Sequence, residues 1–220
     1  MDGRPAVVSA CLVVVTMGDR SNYLVPLLAD AGMPAVVVRT DVAGETRTTQ
    51  PVQDGAYPLT VMHDVSTPNL SRWWNRGIDR AVSQGADVVV VCADDAQAGV
   101  GALLELAMHV EVGSAGPMLV WPEDWPCCAD RPTEISGWCF ALDPAAIRPD
   151  EAFCWWYGDH DLEIRARGMR PGGALGVRGL MISHGSTASS LVGALRASDE
   201  VDRVAFTRRY PALMHDEVTA

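Results

Sequence analysis

Three runs of β-branched and small apolar residues, 6–16 (AVVSACLVVVT), 35–38 (AVVV) and 87–92 (DVVVVC), recur along the first half of the chain with helix-spaced segments between them. Apolar runs that lack polar alternation belong to strands covered on both faces. Joined by helices, such strands are accommodated by a mostly parallel, doubly wound sheet, because a parallel crossover must carry the chain back over one face. A first helix is read at 22–31, where Leu24, Leu27, Leu28 and Ala31 share a face and Gly32 ends it. A polar loop over 42–56 and a short strand at 59–62 come next. The second helix is read from an N-cap at Thr67 with Pro68 in its first turn. It carries Leu70, Trp73, Trp74, Gly77, Ile78 and Ala81 at helical intervals as far as Gly85.

The second half has a different texture. A proline- and tryptophan-containing loop spans 121–132, with a strand at 135–142, a helix at 159–166 closed by Gly168, a strand at 180–184, and a helix with a terminal arm over 197–220. The stretch Trp121 to Trp125 is a candidate interface. Ligands in open α/β sheets bind beyond the carboxyl ends of the strands, which directs attention to the residues at the end of each apolar run.

Composition narrows the function classes. With 220 residues and 48% hydrophobic content the chain suits one domain with a sizeable core. No run of about 20 apolar residues is present to span a bilayer, and the first residues lack a basic start and a small-residue cleavage site. The expectation is a cytoplasmic protein. A net charge of −11 disfavours nucleic acid and anionic membranes as partners. All 17 basic residues are arginine, so lysine-dependent phosphate loops, Schiff bases and pyridoxal chemistry are excluded. The six cysteines, Cys127–Cys128 included, show no C-x-x-C spacing and read as small buried hydrophobes.

The run at 87–92 ends in Ala93-Asp94-Asp95. Adjacent carboxylates at the end of a buried strand repel one another and resist desolvation, and a hard divalent cation, Mn²⁺ or Mg²⁺, relieves both costs. The alternative is that the pair opens a turn and caps a helix near Gly99. Further on, Asp159 and Asp161 stand at a predicted helix start and His184 at a predicted strand end.

The order of these features is similar to that of the family 2-like inverting nucleotide-sugar glycosyltransferases of the GT-A fold. It comprises a first strand ending in Thr16, a second running into Asp41, an Asn-x-Gly-Ile helix (Asn75, Gly77, Ile78) and the Asp94-Asp95 pair. A Ser-Gly strand, the segment GDHDLEIRARG (158–168), and His184-Gly185 with Ser189 complete it. The resemblance covers roughly residues 6–190. It implies a single GT-A, Rossmann-like α/β domain over 1–220, with a nucleotide-binding half at 1–96, an acceptor and catalytic half at 97–196, and a C-terminal helix and arm at 197–220.

On that resemblance Thr16 and Asp41 contact the nucleoside, Arg72, Asn75 and Asp94 belong to the nucleotide-sugar site, and Asp95 ligates the metal. His184 is a further metal or diphosphate contact, and Asp159 is the catalytic base. Trp138, Trp155, Trp156 and Asp161 fall on the acceptor or sugar side, where aromatic faces suit a sugar ring. The implied partners are a UDP-, GDP- or dTDP-sugar donor and an acceptor protein or glycan, with an oligomer possible.

The chain departs from the family at Ala93, where Asp or Asn is common, and at Gly158, where Glu is common. Plainer readings stand beside each residue: a helix cap for Asp159, a hydrogen-bonded structural histidine for His184, core packing for the tryptophans, a solvated tail for Arg208 and Arg209. Two other functions compete. A metal-dependent nucleotidyltransferase would need a glycine-rich basic loop near the first strand, where only Gly18 and Arg20 occur. A non-catalytic sugar-nucleotide or carbohydrate-binding module would need no base.

Overall fold

The computed structural model describes residues 8–17, 21–40, 57–64, 66–123, 133–184 and 194–213. The three apolar runs form β1 (Ala10–Met17), β2 (Ala35–Thr40) and β4 (Val88–Ala93), with α1 (Ser21–Asp30) leading into β2. Beside them lie β3 (Leu59–His63), β6 (Leu119–Pro122), β7 (Cys139–Leu142) and β8 (Ala174–Val177). Together they make one seven-stranded sheet in the order β3-β2-β1-β4-β7-β6-β8, parallel except for β7, which runs against both neighbours. The reversal at β7 turns the segment before it toward the end where β1 and β4 finish.

A separate two-stranded ribbon pairs β5 (Ala96–Ala98) with β9 (Ile182–His184) in antiparallel register, Ala96 opposite His184. The α/β class with a mostly parallel sheet is therefore as the apolar runs predict. Sequence periodicity missed β5, β6, β8 and α3 (Ala102–Met108). The three strands have no more than four residues each, too few to display a period.

α2 (Leu70–Ser83) lies against β1 and β2. Its cap is Asn69 rather than Thr67: Asn69 Oδ1 accepts the Arg72 N–H at 2.8 Å, while its amide donates to the Glu151 carbonyl at 2.9 Å. Asn69 is buried, so its amide has to be satisfied on both sides, and this location achieves it. Trp73, Trp74 and Ile78 fill the space below, Trp74 meeting Phe140 edge-on at 5.4 Å. Gly77 has a steric reason to be glycine. A Cβ there would stand 2.4 Å from Val13 Cγ1 and 3.1 Å from Val38 Cγ2. Gly77→Ala is expected to lose about 1–3 kcal/mol to overpacking, more than the roughly 1 kcal/mol that alanine contributes to a helix. Urea unfolding of the variant measures the balance; a gain in stability would mean the helix can lift from the sheet at little cost.

On the same face as α2, α4 (Gly158–Met169) extends past Gly168 and sends Leu162 and Ala166 into the core shared with Trp73, Trp74 and Ile78, while α1 and α3 cover the opposite face. α5 (Ala194–Arg209) is followed by a short 3-10 turn at Pro211–Leu213. Trp121 is 1% exposed and belongs to the sheet core beneath Arg167, which corrects its reading as part of an exposed interface loop. Residues 124–132, with Trp125, Cys127 and Cys128, lie outside the described residues. Cys11, Cys92 and Cys139 are buried free thiols, as expected of small hydrophobes, and burial pushes the Cys11 thiol up to about 11. Among the described residues no helix is long and apolar enough to cross a membrane.

Candidate active site

The site begins where β1 and β4 end side by side, with Val15 opposite Ala93. One residue further along each strand, the Thr16 hydroxyl donates to Asp94 Oδ2 at 2.7 Å, and both side chains are buried. The end of β2 joins this edge through Thr40, whose hydroxyl donates to the Thr16 carbonyl at 3.3 Å. Asp41 lies outside the described residues.

Asp94 and Asp95 form a turn into β5, and the β5–β9 register fixes what Asp95 meets. His184 Nε2 stands 2.8 Å from Asp95 Oδ1. The helix-capping alternative fails, because α3 starts at Ala102 behind Gly101, which has φ 78° and makes no side-chain cap. The His184 ring stacks on Trp138, centroids 5.4 Å apart and planes at 25°. Trp138 is in turn tied to β4, its carbonyl accepting the Ala93 N–H at 2.6 Å. This placement corrects the sugar-platform reading of Trp138: the ring is buried and backs the histidine.

Asp159 reaches the same segment from the other side. Its Oδ2 accepts the Gly137 N–H at 2.8 Å and its Oδ1 accepts the His160 N–H at 2.9 Å. A Cβ on Gly137 would stand 3.0 Å from Asp159 Oδ2, so the Ser-Gly element is the condition for this approach. The N-cap position belongs to Tyr157, at φ 61° and without a side-chain cap; Asp159 satisfies one orphan N–H of the first turn from inside the helix. The peptide segment Gly137-Trp138 thus touches Asp159 at one residue and His184 at the next, bringing the base and metal candidates to one place. Gly158 packs on the start of α2, where a Cβ would stand 3.0 Å from Ser71 Oγ. A larger residue there would need the Ser71 hydroxyl to give way by a few tenths of an ångström.

Other residues are placed differently. Asn75 donates to the Pro149 carbonyl at 3.0 Å and to Glu151 at 3.1 Å, and Arg72 lies 3.7 Å from Glu151. Both serve the 149–151 loop among their described contacts. Asp161 is 0% exposed and holds Arg165 Nε at 2.7 Å, an Arg209 guanidinium N–H at 2.7 Å and the Tyr210 hydroxyl at 2.8 Å. A carboxylate so enclosed has no face for an acceptor, which corrects that reading of Asp161. The same contacts correct the solvated-tail reading of the Arg208-Arg209-Tyr210 segment, for Arg209 and Tyr210 are anchored. Trp155 and Trp156 are half-buried, Trp155 meeting Trp73 edge-on at 6.2 Å.

His184 Nε2 and Asp95 Oδ1, 2.8 Å apart, stand at the length of a direct hydrogen bond, as the plainer reading of this histidine has it. The same spacing fits two adjacent ligands of an octahedral Mg²⁺ or Mn²⁺, which stand about 3 Å apart. Among the described residues no group of three or more His, Cys, Asp or Glu side chains forms a closed cage. Such a two-ligand protein set leaves positions for phosphate oxygens and water, as Mg²⁺ sites commonly do.

No protein-family model matches the chain, and no curated protein matches it by sequence. Solved structures match in three dimensions. Glucosyl-3-phosphoglycerate synthase from Mycobacterium tuberculosis, in complex with Mn²⁺, UDP-glucose and phosphoglyceric acid, superposes with a TM-score of 0.65 at 15% identity, covering 92% of this chain and 80% of that one. The same enzyme with Mg²⁺ and UDP gives 0.63 at 13% identity over 92% and 80%. A protein of Desulfovibrio desulfuricans G20 assigned as a nucleotide-diphospho-sugar transferase gives 0.50 at 11% identity over 93% and 99%. The chain therefore has the α/β fold of the GT-A glycosyltransferases.

Proposed function

We propose that the chain is an inverting glycosyltransferase that moves a hexose or deoxyhexose from a nucleoside-diphosphate donor to an acceptor hydroxyl. The observation that carries this reading is the continuous contact path from Thr16-Asp94, through Asp95, His184 and Trp138, to Gly137 and Asp159, at the strand ends where such folds bind ligands. The solved relatives' UDP-sugar, Mn²⁺ and Mg²⁺ lend the donor class and the metal to it.

Asp95 and His184 would hold the divalent ion, which when bound supplies positive charge to the departing diphosphate. Asp159 takes the proton of the acceptor hydroxyl as that oxygen attacks the anomeric carbon. Its two backbone hydrogen bonds fix the carboxylate's direction, and its 13% exposed side chain keeps an edge for the substrate. Thr16 orients Asp94 at the nucleotide edge, with Asp41 assigned to the nucleoside. In a chain of net charge −11, positive charge from the cation at this point offsets the protein's own repulsion of a diphosphate.

Thermal shift against UDP-, GDP- and dTDP-sugars, with and without Mn²⁺, tests the reading. At a ligand concentration about 100 times the dissociation constant the stabilisation is about 2.7 kcal/mol. It is expected for one diphosphate sugar, to depend on Mn²⁺, and to vanish in Asp95→Ala. A response confined to nucleoside triphosphates would favour a nucleotidyltransferase, and an undiminished response in Asp95→Ala would remove Asp95 from the metal site.

A further inference from the structure

Asp202 lies in the middle of α5, yet it is 0% exposed and faces no cation among its described contacts. Its carboxylate gathers three successive backbone N–H groups: Cys154 at 3.0 Å on Oδ1, and Trp155 and Trp156 at 2.8 Å each on Oδ2. A concave run of consecutive N–H groups is an anion-binding arrangement, and here α5 supplies the anion from 46 to 48 residues away. The loop is gripped from its other side by α2, through Leu70 N–H to the Cys154 carbonyl at 2.6 Å and Asn69 to the Glu151 carbonyl at 2.9 Å. Immediately after it come the left-handed Tyr157 and then Asp159. Phe206, one turn beyond Asp202, packs against Phe153 and Tyr157.

We propose that Asp202 is a positioning residue for acceptor recognition: α5 sets the conformation of the Cys154-Trp155-Trp156 loop so that its tryptophans meet a carbohydrate ring beside Asp159. This rests on the glycosyltransferase reading. The three amides need an acceptor once the loop is packed, and a single buried carboxylate that takes all three fixes three consecutive peptide planes, and with them the directions in which two tryptophan side chains leave the backbone. The ligand class is a neutral sugar whose apolar face lies on an indole.

The test uses the full chain with Mn²⁺ and two probes: the nucleotide-sugar panel, followed by thermal shift, and a series of methyl glycosides, followed by indole N–H resonances. The wild type is expected to respond to both. Asp202→Asn is expected to weaken glycoside binding by about ten-fold or more while donor binding stays within about two-fold. Equal retention of both responses, or equal loss of both in a folded variant, would overturn the proposal. A wild type that binds a donor but no glycoside would overturn it too and leave the transferase reading intact; a wild type that binds no donor would sink the transferase reading itself. If Asp202→Asn does not fold, hydrogen exchange of the wild-type chain decides: slow Cys154, Trp155 and Trp156 amides, slowed further by the glycoside, are expected, and amides unaffected by it overturn the role.

Discussion

Asp159→Asn is expected to lower glycosyl transfer by about a hundred- to ten-thousand-fold, the range over which a positioned general base acts, while donor and Mn²⁺ binding persist. The substitution is nearly isosteric and keeps one oxygen to accept the Gly137 N–H. Its amide then faces the His160 N–H, which Asp159 Oδ1 accepts at 2.9 Å, and this costs about 1–3 kcal/mol for one unsatisfied donor. A folded fraction checked by circular dichroism separates that cost from chemistry. The diagnostic outcome is a fall in kcat without a matching rise in donor KM, because proton removal belongs to the transition state alone. Transfer that survives the substitution would remove Asp159 as the base. Turnover absent from the wild type across the donor panel, with binding intact, would leave the binding-module reading.

The first half of the fold was legible because its strands carry unbroken apolar runs, 10–15, 35–38 and 88–92, whose many buried valines belong to strands covered on both faces. The site was legible only in part. Asp94-Asp95 and Asp159 stand out as acids at element ends, but that His184 faces Asp95 depends on the register of a ribbon whose strands are three residues long. No local pattern encodes such a register. Asp161 misled in the opposite direction. Like Glu163 and Asp202, it is an almost fully buried acceptor of guanidinium or backbone N–H groups. In sequence a carboxylate turned inward resembles one turned toward substrate. On α5 the buried positions Asp202 and Phe206 do fall four residues apart, but a charged member hides the apolar stripe that periodicity seeks.

Asp161→Ala is expected to destabilise the chain by about 3 kcal/mol, toward the lower end of the range for breaking a buried ion pair, because Arg165 and Arg209 retain roughly a third of their exposure and can recover water. The contrast is Asp79, paired with Arg148 but 70% exposed, where loss of the pair costs about 0–1 kcal/mol. Urea unfolding of Asp161→Ala and Asp79→Ala under one set of conditions measures both. The same cluster sets an alkaline limit. Burial, reinforced by the hydrogen bond to Asp161, pushes the Tyr210 phenol up to about 12, against about 10 in an unfolded chain. A raised folded value means that the unfolded phenol ionises first, so the contribution is complete below about pH 10 and declines as the pH rises toward 12. Tyr210→Phe should remove this limb from the stability profile, and Asp161→Ala should shorten it by removing the carboxylate that resists ionisation. If both variants keep the wild-type alkaline slope, Tyr210 ionisation is not linked to folding, and the hold on α5 lies with Arg209 on Asp150, Phe206 and Asp202.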